Sequence, residues 1–276
     1  MLPNLPDLQI LPLAALLLHE DHDRLRTQSL MERLRAEGIL RNPPLVAPLR
    51  DGSERYLVLD GANRVTALWT MGMPNTLAQV IQPDDPNLRV MTWNHLVWGM
   101  KRGEFLAALS HVEGLHLESL AAVHLPENSA ASASVETRLP DGKGYRLRLE
   151  ADLTHQAARI SAIVACYRQR AGYDRTDQAN LADFKTIRRD LTALLIFPRF
   201  EIGALLDLAV HGRTLPSGIT RFVVSPRALR VNYPLEELAS AKPTAEKATA
   251  LQGWIAERLK SKSVRYYAEA TFLFDE

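Results

Sequence analysis

Residues 56–72, YLVLDGANRVTALWTMG, constrain the fold of this chain more than any other stretch. Four β-prone apolar residues run into Asp60 and Gly61. Apolar side chains then recur at helical spacing, which turns Val65, Leu68 and Trp69 inward and leaves Gly72 to close the helix. A strand that passes through glycine directly into a helix gathers free backbone N–H groups and attracts anions to one point. Asp60 is itself an anion at that point. The turn therefore either binds no phosphate or has something positive between Asp60 and the phosphate.

The neighbouring segments extend this into a compact α/β unit. DRLRTQSLMERLRAEG predicts an amphipathic helix from Asp23 to Glu37 with Leu30, Met31 and Leu34 on one face and Gly38 as its cap. LVAPL and RYLVLD flank an Asp-Gly turn and read as a hairpin, NTLAQVI reads as a strand, and QPDDPN ends the unit near residue 82. Beyond it the sequence predicts a helical stretch over 88–109, a surface loop at 127–134, a hairpin over 135–153 and helices at 154–171 and 176–196. A helix from about Glu201, a turn-and-strand region at 214–235, a helix at 245–262 and a last strand over 264–274 complete the expectation. The fold class is α+β, with domains at 1–86 and 87–276.

Composition narrows the function classes. With 33 Lys+Arg against 32 Asp+Glu the formal charge is +1, without the overall basicity of many DNA-binding modules. The apolar run Leu11–Leu18 has no basic segment before it and is too short to span a bilayer, so a cytoplasmic protein with no membrane role is expected. A lone Cys166 excludes an internal disulfide, thiolate-rich zinc sites and CxxC redox chemistry. The eight histidines show no HExxH spacing.

The order of parts in residues 16–81, with Gly61, Ala62, Asn63 and Arg64 forming a Gly-x-x-Arg core between a strand and a helix, resembles the ParB/sulfiredoxin superfamily. The resemblance makes 1–86 a nucleotide-binding domain, with residues 61–64 on the phosphates, and makes 87–276 an α+β domain completing a substrate cleft. Helix N-terminal amides and one guanidinium suit that task without a Walker lysine. Sulfiredoxin chemistry is rejected, because Ala62 stands where its cysteine is expected. A ParB-like nucleotide-responsive DNA-binding or regulatory protein is the alternative; near-zero net charge and the lack of a clear recognition helix argue against it and against a nucleic-acid partner.

Within the superfamily the chain is most similar to the free L-serine kinases, through Glu20 ahead of the first helix, Asp60 to Arg64, and SGITRFVVSPRALRVNYPL at 217–235. The resemblance implies phosphoryl transfer from ATP or ADP to L-serine, giving O-phospho-L-serine, with a functional link to a pyridoxal-phosphate enzyme that uses this product. A positioned carboxylate can accept the serine hydroxyl proton during attack, and Glu20 is the candidate base. Asp60 becomes intelligible if Mg²⁺ lies between it and the phosphates; orienting the serine hydroxyl or Arg64 are its other open roles. Thr220 and Arg221 are candidates for the substrate carboxylate, and Trp93 for a wall of the amino-acid pocket, with Trp98 competing for that place. A histidine is expected after this arginine in the related kinases, whereas Phe222 follows it here.

Overall fold

The computed structural model describes residues 5–120, 134–150 and 152–267. Strands β1 (Asp7–Pro12) and β2 (Leu16–Leu18) lead to helix α1 (Arg24–Glu37), strand β3 (Ile39–Leu40), the hairpin β4 (Leu45–Pro48) and β5 (Tyr56–Asp60), helix α2 (Ala62–Thr70) and β6 (Asn75–Val80). Next come β7 (Leu88–Thr92), β8 (Asn94–Trp98), α3 (Arg102–Ser110), β9 (Leu117–Leu120), β10 (Ser134–Arg138) and β11 (Gly144–Arg148). Helix α4 (Leu153–Arg168), β12 (Gly172–Thr176), α5 (Ala182–Lys185), β13 (Leu191–Ile196) and α6 (Ile202–Val210) follow. The chain closes with β14 (Thr220–Val224), β15 (Tyr233–Pro234), α7 (Leu235–Ala239) and α8 (Thr244–Lys260). This is the expected α+β class.

The first sheet has strand order β1-β6-β4-β5-β2, with β2 parallel to β5 and β4 parallel to β6. Its central strands are apolar on both faces because both faces are covered. Leu45, Ala47, Leu57 and Leu59 point into one core, shared with the six-stranded sheet and helices α4 and α6. Val46 and Val58, one residue out of step, point into a second core with Met31, Leu34, Val65 and Leu68. The chain's last part joins this second core. Tyr233 pairs with Leu40, α8 packs on β1, and buried Lys247 donates to Asn75 Oδ1 and the Leu238 carbonyl, both at 2.7 Å.

Helix α1 matches the expectation closely. Asp23 caps it by accepting from the Leu25 and Arg26 amides, and Gly38 ends it at φ +67°. Trp69 is a correction: it sits at the surface, 36% exposed, with its indole N–H donating to the Leu13 carbonyl, while Ala67 takes the buried place.

Two expected helical stretches are largely strands, the first keeping only α3 as helix at its end. Residues 88–98 form β7 and β8, and the expected helix over 176–196 contains only α5 before β13. Their buried segments, NHLVW and LTALLI, are too short to show a helical or a strand period. Strands β8 and β13 lie inside the antiparallel sheet β12-β8-β13-β10-β11-β9, where LTALLI is buried along its whole length. The expected loop at 127–134 lies almost entirely outside the described residues, as does the end of the strand expected at 264–274; residues 264–267 are not in a strand.

Candidate active site

The site forms where β2 runs out beside the start of β14. His19 and Glu20 leave the sheet edge, and their backbone is clipped to the distant segment before β14: the Leu215 amide donates to the His19 carbonyl at 2.7 Å, and the Asp21 amide to the Leu215 carbonyl at 2.8 Å. This places Glu20 under three successive N–H groups. Gly218 N–H donates to Oε2 at 2.8 Å, Ile219 N–H to Oε1 at 3.1 Å, and both the Thr220 N–H and its hydroxyl, the latter at 2.6 Å, also reach Oε1. Such a nest of amides is an anion site, here filled by the protein's own carboxylate. Oε2 keeps acceptor capacity for a further donor.

Gly218 makes the nest possible. It stands at φ +86°, and a Cβ there would lie 2.6 Å from Arg175 Nε. Its carbonyl is held by His95, whose Nε2 donates to it at 3.0 Å while Nδ1 lies 2.6 Å from the Tyr167 hydroxyl. The ring is fully buried among Tyr167, Tyr173 and Phe197. Burial pushes its pKa down to about 4, against the favourable Gly218 carbonyl and helped by nearby Arg175 and Arg168. His95 is thus neutral in the fold but takes up a proton in the unfolded chain below its ordinary value of 6.5. Stability gains nothing from this group's titration above pH 6.5 and falls as pH drops from 6.5 towards 4, by about 3 kcal/mol in all. Urea denaturation at pH 7 and pH 4.5 should show this loss, and His95→Gln should remove most of that part of the pH dependence.

The turn between β5 and α2 forms the facing wall. Gly61 takes φ +106°, and a Cβ on it would meet Arg64 Nη2 at 2.9 Å and Pro44 Cβ at 3.0 Å. Arg64 therefore folds back over the glycine and donates to Asp60 Oδ2 at 2.9 Å. Arg227 donates to the same oxygen at 2.9 Å and is itself held by the Pro43 carbonyl and Gln79 Oε1, each at 3.0 Å. Burial works to raise the Asp60 pKa, but the two guanidinium groups outweigh it and hold the carboxyl below its ordinary value. Arg64 and Arg227 thus neutralise the Asp60 carboxylate from two sides.

The remaining residues of the turn divide in their contacts. Arg64 Nε is buried with no hydrogen-bond partner among the described residues. Ala62 opens α2. Asn63 Oδ1 accepts from the Asp23 amide at 2.8 Å and the Thr27 hydroxyl at 3.2 Å, so its carboxamide oxygen ties the start of α2 to that of α1. Gly61→Ala should cost about 1–3 kcal/mol of stability, because it forces a Cβ into a left-handed, crowded position. It should also weaken nucleotide binding by displacing Arg64, measurable by calorimetric titration with ADP.

Trp93 and Arg221 meet at the same opening. The Arg221 guanidinium lies 4.5 Å over the Trp93 ring and donates to Asp177 Oδ2 at 2.8 Å, while the Trp93 amide donates to the Ile219 carbonyl at 2.8 Å. Trp98 lies under Arg188 and does not line the cleft. The cleft encloses about 830 Å³, and Glu20, residues 60–64, Trp93, Thr220 and Arg221 all line it. His19, Arg175 and Arg227 were not singled out from the sequence. His19 adjoins Glu20, and Arg227 lies within the 217–235 element, so the only signal for each was its neighbour.

Among the described residues no group of three His, Cys, Asp or Glu side chains could hold a metal alone. The donor set still fits Mg²⁺, which typically needs one or two carboxylates beside phosphate oxygens and water. Asp60 Oδ1 receives no hydrogen bond among the described residues and is the oxygen available for it.

No family model matches the chain. It is 24% identical, over 98% of its own length and 97% of the other's, to the ATP-dependent L-serine kinase SbnI of Staphylococcus aureus. An ATP-dependent L-serine kinase of Staphylothermus marinus is 36% identical over 84 residues, 30% of this chain and 33% of that one. The structure of C-terminally truncated SbnI superposes with a TM-score of 0.74 at 22% identity, covering 91% of this chain and 97% of the other. The chain has the serine-kinase fold. A free serine kinase in complex with AMP shares that fold at 17% identity, with a TM-score of 0.67 over 84% of this chain and 94% of the other. The serine-kinase fold is the arrangement expected from Glu20, the 60–64 turn and the 217–235 element. No helix among the described residues is long and apolar enough to cross a membrane.

Proposed function

We propose that the protein is a free L-serine kinase that transfers a phosphoryl group from ATP or ADP to the serine hydroxyl and forms O-phospho-L-serine. The observation that carries this reading is the pairing, across one cleft, of an amide-held carboxylate at Glu20 with the arginine-backed turn at 60–64. Full-length similarity to an ATP-dependent L-serine kinase supports it. A cytoplasmic enzyme whose product feeds a pyridoxal-phosphate enzyme is part of the same reading.

In this reading the amides at the start of α2 and the guanidinium of Arg64 take the nucleotide phosphates. Asp60 would hold Mg²⁺, which when bound would supply charge neutralisation at the transferring group. Arg221 exchanges Asp177 for the serine carboxylate, over the Trp93 face, and this leaves the hydroxyl towards Glu20 Oε2. Thr220 contributes by fixing Glu20, because its amide and hydroxyl are both engaged there. Glu20 accepts the hydroxyl proton as the O–P bond forms.

The test is incubation of the purified protein with L-serine, Mg²⁺ and either ATP or ADP, with phosphoserine detected by mass spectrometry. Product with one donor is expected. No product with either, together with salt-sensitive DNA binding, would favour the ParB-like reading.

A further inference from the structure

Six arginines line the cleft. Four are paired with acids, whereas Arg33 and Arg175 make no hydrogen bond or ion pair among the described residues. Arg33 stands on α1. Arg175 stands on β12, opposite His95 in the ladder with β8, and its side chain lies against Gly218. A Cβ at position 218 would lie 2.6 Å from Arg175 Nε and 2.8 Å from its Cζ. Glycine therefore serves twice here, for its φ of +86° and for the room it leaves the guanidinium. The N–H of the same glycine donates to Glu20 Oε2 at 2.8 Å. An unpaired cation thus rests on the residue that holds the oxygen assigned above to the acceptor hydroxyl.

Charge explains why a cation is needed at this place. Transfer brings a multiply charged phosphoryl group against a hydroxyl whose other neighbour is the Glu20 carboxylate, and two anions repel unless a positive group faces both. Oε1 is covered by the Ile219 amide and by the Thr220 amide and hydroxyl, but Oε2 receives only the Gly218 N–H among the described residues. Arg221, on the same side of the cleft, is held by Asp177 and by the Trp93 ring. The acids nearest to Arg175 in the chain, Asp174 and Asp177, are engaged by Arg188 and Arg221. Arg175 is left as the cation whose counter-ion is a ligand.

We propose that Arg175 binds the phosphoryl group as it reaches the serine oxygen and holds the phosphate of O-phospho-L-serine until release. The proposal rests on the kinase reading above. The serine oxygen bonds to phosphorus, and the bond from phosphorus to the nucleotide's leaving oxygen breaks with its electron pair staying on the nucleotide. The hydroxyl proton goes to Glu20, and Arg175 exchanges none. Its guanidinium donates N–H hydrogen bonds to the non-bridging phosphoryl oxygens, and its charge offsets the repulsion between those oxygens and Glu20. The three arginines then divide the work: Arg64 on the nucleotide phosphates, Arg221 on the serine carboxylate, and Arg175 on the group in transit.

Arg175→Gln keeps a polar side chain on Gly218 and loses the charge. The full-length wild type and variant are titrated calorimetrically with O-phospho-L-serine, with L-serine and with ADP. The Kd for O-phospho-L-serine should rise about tenfold or more, while those for L-serine and ADP stay within about twofold. Unchanged ADP binding also shows that the variant is folded. Equal weakening of L-serine and O-phospho-L-serine would assign Arg175 to the carboxylate they share, and weakened ADP would assign it to the nucleotide; either result overturns the proposal, as does no change with any ligand. Single-turnover phosphoserine formation at saturating substrates should fall roughly 10²-fold or more, and Arg175→Lys should recover only part of it, because an ammonium lacks the planar fork. A wild-type rate in Arg175→Gln overturns the proposal as well. A wild-type protein that binds O-phospho-L-serine but makes none from ATP or ADP removes the kinase reading instead, and the titrations still decide whether Arg175 holds the phosphate.

Discussion

Replacing Glu20 by glutamine is expected to slow phosphoserine formation by roughly 10²–10⁴-fold, with nucleotide affinity nearly unchanged. The glutamine is the same size, but its oxygen cannot take the serine proton at neutral pH. Its amide nitrogen would also stand against the N–H of Gly218, now 2.8 Å from Glu20 Oε2. Opposing two donors in a part-buried site costs about 1–3 kcal/mol. The variant should therefore be less stable in urea while still folded and still binding ADP. Single-turnover rates with saturating serine separate the chemical loss from any binding loss, and a variant that turns over at the wild-type rate would show that Glu20 is not the base.

Asp60→Asn is expected to raise the Mg²⁺ concentration for half-maximal activity at least tenfold, since even outer-shell partners of a metal are typically worth about 10–100-fold. The substitution also removes the charge shared by Arg64 and Arg227, each 2.9 Å from Oδ2. With two guanidinium groups less neutralised, ADP without metal should bind as well as before or more tightly. If Asp60 serves only to orient Arg64, the pattern reverses: metal-free ADP binding weakens and the Mg²⁺ requirement stays put. Calorimetric titration with and without Mg²⁺ distinguishes the two.

The parts of this molecule governed by local rules were legible in the sequence. The cap at Asp23, the glycine ends at Gly38 and Gly72, the β4–β5 hairpin and the β5–Gly61–α2 turn each follow from neighbouring residues. The runs around Trp93 and Leu194 were not legible. An apolar run with its neighbours on both sides supplied by distant strands carries no period of its own. Trp69 failed differently: its helix phase fits an inward position, but the buried face was narrower than the phase suggested, and the indole reaches the Leu13 carbonyl at the rim.

For the candidate site, the residues named from Glu20, the 60–64 turn, Trp93, Thr220 and Arg221 do line one cleft, and their roles remain those of the proposal. The sequence by itself determined the strand–glycine–helix turn and set an acid at its start, because the geometry of a strand, a glycine and a helix start is local. Only the tertiary structure decided that Arg227, 167 positions away, joins Arg64 in neutralising that acid. It alone set Glu20 beneath the amides of 218–220 and placed Thr220 between that carboxylate and His19. Hydrogen bonds of a few ångströms between segments some 200 residues apart leave no spacing in a sequence; packing the edge of one sheet against the start of β14 creates them.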